Sequence, residues 1–188
     1  MNITEEESKY LFPSEGRKIV SRIENDNLSE TRKKLVNEIT LLGYDNFNNR
    51  TDNNGWSIAQ VCHHLVLVEK ASAHAIAFGL NRIDGNKKER KELHSVLDRT
   101  KKLEAPEIVN PSVEPFEAQQ IIDLLNDSRN KLMAVLSKVE DTAILAEKSA
   151  KHPRFGELPL NQWIELLYLH EQRHIDQIKE IKILIDGK

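Results

Sequence analysis

The stretch WIELLYLHEQRHIDQIKEIKILI, residues 163–185, places Trp163, Leu167, His170, His174, Ile178, Ile181 and Ile185 at steps of three or four. That spacing is the apolar stripe of one long helix. Two of its core positions are imidazoles, where leucine would serve burial better. Side chains four apart on a helix lie one above the other, so the rings of His170 and His174 can converge on one ion.

A second helix offers a third ring. From Val61 the same steps run through His64, Val68, Ala71 and Ala75, which puts His64 in register with an apolar seam. His63 lies about 100° round the helix from it. Three neutral imidazoles hold a divalent ion such as zinc and leave positions open for water or substrate, the pattern of a catalytic rather than a structural site. The candidate metal ligands are therefore His64, His170 and His174.

Working outward, four stretches have helical periodicity: about Leu28 to Leu42, with Gly43 as its stop; Ser57, as a cap, to about Leu80; Glu117 to Val139; and Leu160 to Ile185. No segment shows a convincing alternation of period two. All six prolines fall outside the four stretches, as helices require. More than thirty residues separate the second and third helices, enough for a crossover along the bundle. Lys151 to Pro159 reads as an ordered loop. The expected fold is all-α, a four-helix bundle over residues 27–188, preceded by an N-terminal extension, 1–26, with a short helix near Arg17 to Ile23.

At 188 residues, the chain suits one domain. Charged residues make up 30% and aromatics 5%, in keeping with a helical protein that has much solvated surface. A formal net charge of −3 gives no reason to expect nucleic acid as a partner. Cys62 is the one cysteine, so no intrachain disulfide forms and the cytoplasm is the expected location. Met1 to Gly16 lacks the apolar core of a signal peptide, and no stretch reaches the ~20 apolar residues of a membrane span.

His170-Glu-Gln-Arg-His174 also fits the H-E-x-x-H pattern of zinc peptidases, in which the glutamate is the general base. The extended form of that pattern needs a glycine and a third histidine, where this chain has Gln177 and Glu180. Wider motifs point elsewhere. Trp56-Ser-Ile-Ala-Gln-Val-Cys-His-His-Leu65, then His152-Pro-Arg-Phe-Gly-Glu-Leu-Pro-Leu-Asn-Gln-Trp163, then His170-x-x-Arg-His174 together resemble the DinB-like superfamily of metal-dependent enzymes. The resemblance is to the branch with a Trp-Ser start to its second helix, and it covers Leu28 to Ile185. It implies a four-helix bundle with a long crossover, a nickel or zinc ion on His64, His170 and His174, a homodimer, and in some members transfer of a low-molecular-weight thiol such as bacillithiol or mycothiol.

Other residues divide between chemistry and packing. Glu171 is either a base beside the ion or a solvent-facing helix residue, and it is the one catalytic candidate. Arg173 either orients an anionic small-molecule substrate or pairs on the surface with Asp176 or Glu180. Cys62 is buried filler, His63 packs at a helix interface or faces outward, and Trp56 and Trp163 pack at the ends of their helices. His74, His94 and His152 are surface or loop residues, with His152 able to reach the mouth of the site. The functional expectation is a metal-dependent enzyme that activates water or a thiol. Its rival is a non-catalytic, stress-linked helical protein whose histidine cluster is vestigial.

Overall fold

A computed structural model describes residues 27–51, 55–83, 87–100 and 104–187. The expected extension and its short helix lie outside the described residues. Four long helices form the bundle: α1 (Asn27–Ile39), α3 (Ile58–Asn81), α4 (Ala118–Leu136) and α6 (Leu160–Asp186), with short helices α2 (Tyr44–Asn48) and α5 (Ile144–Glu147) between them. Helix α3 packs against α4 and α6, and α1 packs against α6. Among the described residues no helix is long and apolar enough to cross a membrane.

Local chemistry fixes the helix starts. Ser57 caps α3 as expected, its Oγ accepting from the Gln60 N–H while the Gln60 side chain accepts from the Ser57 N–H, each at 3.2 Å. Glu117 and Gln120 make the same reciprocal box at α4, so Glu117 is the cap of that helix and not its first turn. The end of α1 departs from expectation. Gly43 has a φ of −67° and precedes α2 rather than stopping α1, which ends at Ile39. The Asn-rich segment after it is not merely a polar turn, because it coils into α2 to bury Phe47 completely.

Lys151–Pro159 also corrects the reading. It belongs to an antiparallel hairpin, β1 (Ser149–His152) with β2 (Gly156–Pro159), in which Ser149 faces Pro159 and His152 faces Gly156. A three-residue loop joins the strands, and Gly156 follows it at φ 68°, a left-handed conformation that costs glycine nothing. The hairpin lies on α3 at Gly79. A Cβ added there would stand 2.6 Å from Leu160 Cδ2 and 3.0 Å from the Ser149 carbonyl, so the close approach depends on glycine.

The buried face of α3 runs through Ile58, Cys62, Leu65, Glu69, Ser72, Ile76 and Gly79. Val68, Ala71 and Ala75, assigned to the core seam from the sequence, are only half-buried at its border. The helix faces the bundle along a line about one residue round from that seam, and a glutamate sits in the middle of it.

That glutamate is one of four buried or nearly buried charges, each from a different long helix. Glu69 accepts from Arg129 Nε at 2.6 Å, Ser128 Oγ at 2.5 Å and Arg32 Nη2 at 3.0 Å. Glu171 accepts from Arg32 Nε at 2.7 Å and Thr31 Oγ1 at 2.5 Å. The guanidiniums reach two backbone carbonyls as well, Arg32 that of Leu125 and Arg129 that of Leu28. These charges form a layer that divides the apolar core. Leu28, Ala73, Leu132 and Leu169 lie on one side, and Leu35, Leu65, Leu125 and Ile175 on the other.

Candidate metal centre

The described residues of the crossover between α3 and α4, 82–83, 87–100 and 104–117, are held to the bundle by side chains at several points. Gln162 exchanges two hydrogen bonds with the Lys91 backbone, at 2.7 and 2.8 Å. Arg173 Nη1 donates to the carbonyls of Val96 and Asp98 at 2.8 and 2.5 Å. Gln60 Nε2 donates to the Ser112 carbonyl at 3.1 Å, and Asn48 pairs with both backbone groups of Phe116 at 2.9 Å. These contacts satisfy backbone groups that no regular element covers, and they fix the chain beside His64.

His64, His170 and His174 meet where α3, α6 and the crossover adjoin. One ring nitrogen from each lies within 4.8 Å of the others. His64 and His174 are buried, and His170 is half-buried. His64 Nδ1 is 2.8 Å from the Val109 carbonyl and His174 Nδ1 is 2.7 Å from Gln177 Oε1. An oxygen acceptor at Nδ1 places the proton there and leaves the lone pair on Nε2. His64 Nε2 stands 3.1 Å from His170 Nε2. Two imidazoles bound at about 2.0–2.1 Å to one tetrahedral ion hold their nitrogens about 3.3 Å apart, so the His64–His170 spacing and the tautomers of His64 and His174 fit a shared divalent ion.

The surroundings keep the rings neutral. Burial, with the neighbouring His174 and His64, pushes His170 well below the ordinary imidazole range. Burial lowers His174 to about 3 and depresses His64, whose bond to Val109 opposes the shift. Trp56 covers one side of the cluster, its ring centroid 4.9 Å from that of His64.

The neighbouring candidates are placed as follows. His63 packs against Phe116 with ring centroids 4.9 Å apart, and its Nδ1 accepts from the Ser112 N–H at 2.9 Å. It thus lies at an interface and outside the cluster. Cys62 is fully buried, which pushes its thiol well above the ordinary range. Trp163 is buried at the start of α6 and donates to the Ala150 carbonyl at 3.2 Å. His74 and His94 are exposed. His152 packs against Trp163 with ring centroids 4.9 Å apart and is among the groups whose charge acts on His170.

Two expectations need correcting. Glu171 is 3% exposed and both its oxygens accept hydrogen bonds in the four-charge layer, so it neither faces solvent nor stands with a free oxygen among the ligating nitrogens. Arg173 is 9% exposed and grips crossover carbonyls. Asp176 instead approaches Lys179, and Glu180 pairs with Arg99. The reason is common to both: a residue beside a helix's apolar stripe is solvated only if nothing packs there, and α1 and the crossover do.

The residues that sequence reasoning missed are Val109 and Gln177, which orient two of the rings, and Arg32 and Arg129, which pair with Glu171 and with a second buried carboxylate, Glu69. Charges at stripe positions were the available signal: Arg32 falls between Leu28 and Leu35, Glu69 between Leu65 and Ile76, and Arg129 between Leu125 and Leu132.

Known proteins resemble this chain in sequence or in fold. YuaE of Bacillus subtilis (strain 168), itself uncharacterised, is 28% identical over 158 residues, 84% of this chain and 96% of YuaE. The crystal structure of TT2238, described as a four-helix bundle protein, matches with a TM-score of 0.55 at 17% identity, covering 88% of this chain and 98% of that one. YfiT from Bacillus subtilis, described as a probable metal-dependent hydrolase with an unusual four-helix bundle topology, matches with a TM-score of 0.58 at 16% identity, covering 99% of this chain and 91% of that one. Such identities speak for the fold alone. The sequence profile of the DinB superfamily matches residues 27–178, most of the chain and all three histidines, and the chain belongs to that superfamily.

Proposed function

We propose that this protein is a metal-dependent enzyme in which His64, His170 and His174 hold one divalent ion, zinc or nickel, through their Nε2 atoms. The observation that carries the reading is the convergence of three neutral rings, two buried and one half-buried, with Nδ1 of His64 and of His174 committed to an oxygen acceptor. When bound, the ion supplies Lewis acidity that lowers the pKa of a small nucleophile at an open position. Val109 and Gln177 orient His64 and His174, and Trp56 shields His64 from water. The engaged carboxylate of Glu171 gives that residue a structural part here rather than the role of base.

The description of YfiT as a probable metal-dependent hydrolase supports water as the nucleophile. The motif resemblance supports a low-molecular-weight thiol instead, and with it a homodimer. A three-imidazole set with an open position can activate either nucleophile. Thiol transfer is favoured here through the motif resemblance alone.

The test compares two adjacent histidines by metal titration, followed by thiol-conjugation and hydrolysis assays on the loaded protein. His64→Ala removes a ligand and should abolish tight binding. His63→Ala should cost at most the ~10–100-fold typical of a change behind the ligands. The reverse ranking would overturn the ligand assignment, and a wild-type protein that takes up no zinc or nickel near neutral pH would favour the non-catalytic rival.

A further inference from the structure

Resting on the reading that the three histidines hold a divalent ion, we propose that one water, held between Arg129 and Glu171, anchors His170 Nδ1, which makes these two charges positioning residues for the third metal ligand. The other two rings have protein partners behind them, His64 the Val109 carbonyl and His174 the Gln177 side chain. His170 has none of that kind. Its Nε2 stands 3.1 Å from that of His64, and among the described residues its Nδ1 makes no hydrogen bond. A ligand ring needs such a partner to fix its orientation and its tautomer.

The space and the polar groups for it are both present. His170, Arg129 and Glu171 line one cavity of about 10 Å³, with Val68 in its apolar wall. That volume holds one water and nothing larger. Arg129 Nη2 and Glu171 Oε2 are 3.6 Å apart, an ion pair stretched beyond hydrogen-bond length. The other nitrogens of Arg129 are committed, Nε to Glu69 and Nη1 to the Leu28 carbonyl, while Nη2 makes no hydrogen bond among the described residues. A polar pair at that separation is one that a water can bridge. Glu171 Oε2 also accepts from Thr31, and a carboxylate oxygen has a second lone pair to offer the water. With His170 Nδ1 the water has three polar partners, the usual number for a buried one.

Water also suits what the ring has to do when it takes up an ion. His64 Nδ1 donates to the Val109 carbonyl, so with no ion bound the hydrogen that joins the two Nε2 atoms is carried by His170. An ion needs the Nε2 lone pair, and the one hydrogen of a neutral ring then resides on Nδ1. The Nε2 proton leaves to solvent and another arrives at Nδ1, with no change in the charge of the ring. A carboxylate only accepts and a guanidinium only donates, whereas water does either. It donates to Nδ1 before uptake and accepts from it afterwards, keeping its bonds to Arg129 and Glu171 throughout.

The test uses the full-length protein and two substitutions that touch no charge: Val68→Ile, which adds a methyl group to the cavity wall, and Val68→Ala, which widens it. In the zinc-loaded wild type, nitrogen NMR spectra should show His170 as the Nδ1–H tautomer, with a nuclear Overhauser contact from that hydrogen to a water. Val68→Ile should lose the contact and bind cobalt, followed by its visible absorption, about 10–100-fold more weakly. Val68→Ala should keep both. A role in packing alone would give the opposite order, because enlarging a cavity costs stability that filling a void does not. No water contact in the wild type, equal losses in the two variants, or a cobalt affinity that does not follow the contact across the three proteins would overturn this proposal alone. A wild type that takes up neither metal would overturn the metal reading and this one with it.

Discussion

Lowering the pH should destabilise the metal-free protein through its histidine cluster well before the carboxylates respond. His174 titrates at about 3 in the folded chain because burial and the nearby His64 disfavour its charged form, against about 6.5 for an unfolded histidine. A ring whose folded pKa lies below its unfolded value contributes stability that is present above the unfolded pKa. That stability is lost as pH falls, because the unfolded chain takes up a proton that the folded one refuses. Between pH 7.5 and 5 the loss from His174 alone is about 2 kcal/mol. His170 and His64 are depressed in the same direction and add to it. For an unfolding slope of about 2 kcal/mol per molar urea, the midpoint should drop by at least about 1 M. Urea titrations of chelator-treated protein at the two pH values measure this, with His174→Gln as control, since glutamine cannot titrate and its curve should drop less. The depressed carboxylate of Glu69 protonates below this window and does not confuse it. A midpoint constant from pH 7.5 to 5, or an identical drop in His174→Gln, would refute the reasoning.

Replacing Glu69 with leucine should destabilise the fold by about 3–5 kcal/mol, because Arg32 and Arg129 would keep buried charge without its carboxylate; a loss under 1 kcal/mol in urea unfolding would show the layer to be well solvated. Gly79→Ala should destabilise by about 1–3 kcal/mol despite alanine's better helix propensity, since its Cβ would press on Leu160 and the Ser149 carbonyl. A Gly79→Ala variant that melts higher than wild type would mean that the hairpin yields easily. Chelation should leave the helical circular-dichroism signal in place, because the four long helices bury their stripes in two apolar half-cores whether or not an ion is present; loss of that signal would make the ion structural.

What the sequence determined by itself was whatever depends on periodicity and local chemistry. Steps of three and four located α3, α4 and α6 to within a few residues, Ser57 marked the start of α3, and prolines bounded the rest. The same periodicity brought His170 and His174 together, because two residues one turn apart on one helix need no tertiary information to meet. His64 needed only the correct face of one further helix.

Only the tertiary structure decided what lies beside each stripe. Four-residue strands are too short for an alternation to register, so the hairpin emerged only from its packing on Gly79. Glu171 and Arg173 sit at positions that would be solvated on an isolated helix. They are buried because Arg32 on α1 and the Val96–Asp98 segment of the crossover come from far along the chain to meet them. Arg32 and Glu171 are 139 residues apart, and no local pattern specifies that two charges so distant will neutralise each other. A charged residue inside an apolar stripe announces that a partner exists, but which helix supplies it is set by how the helices pack.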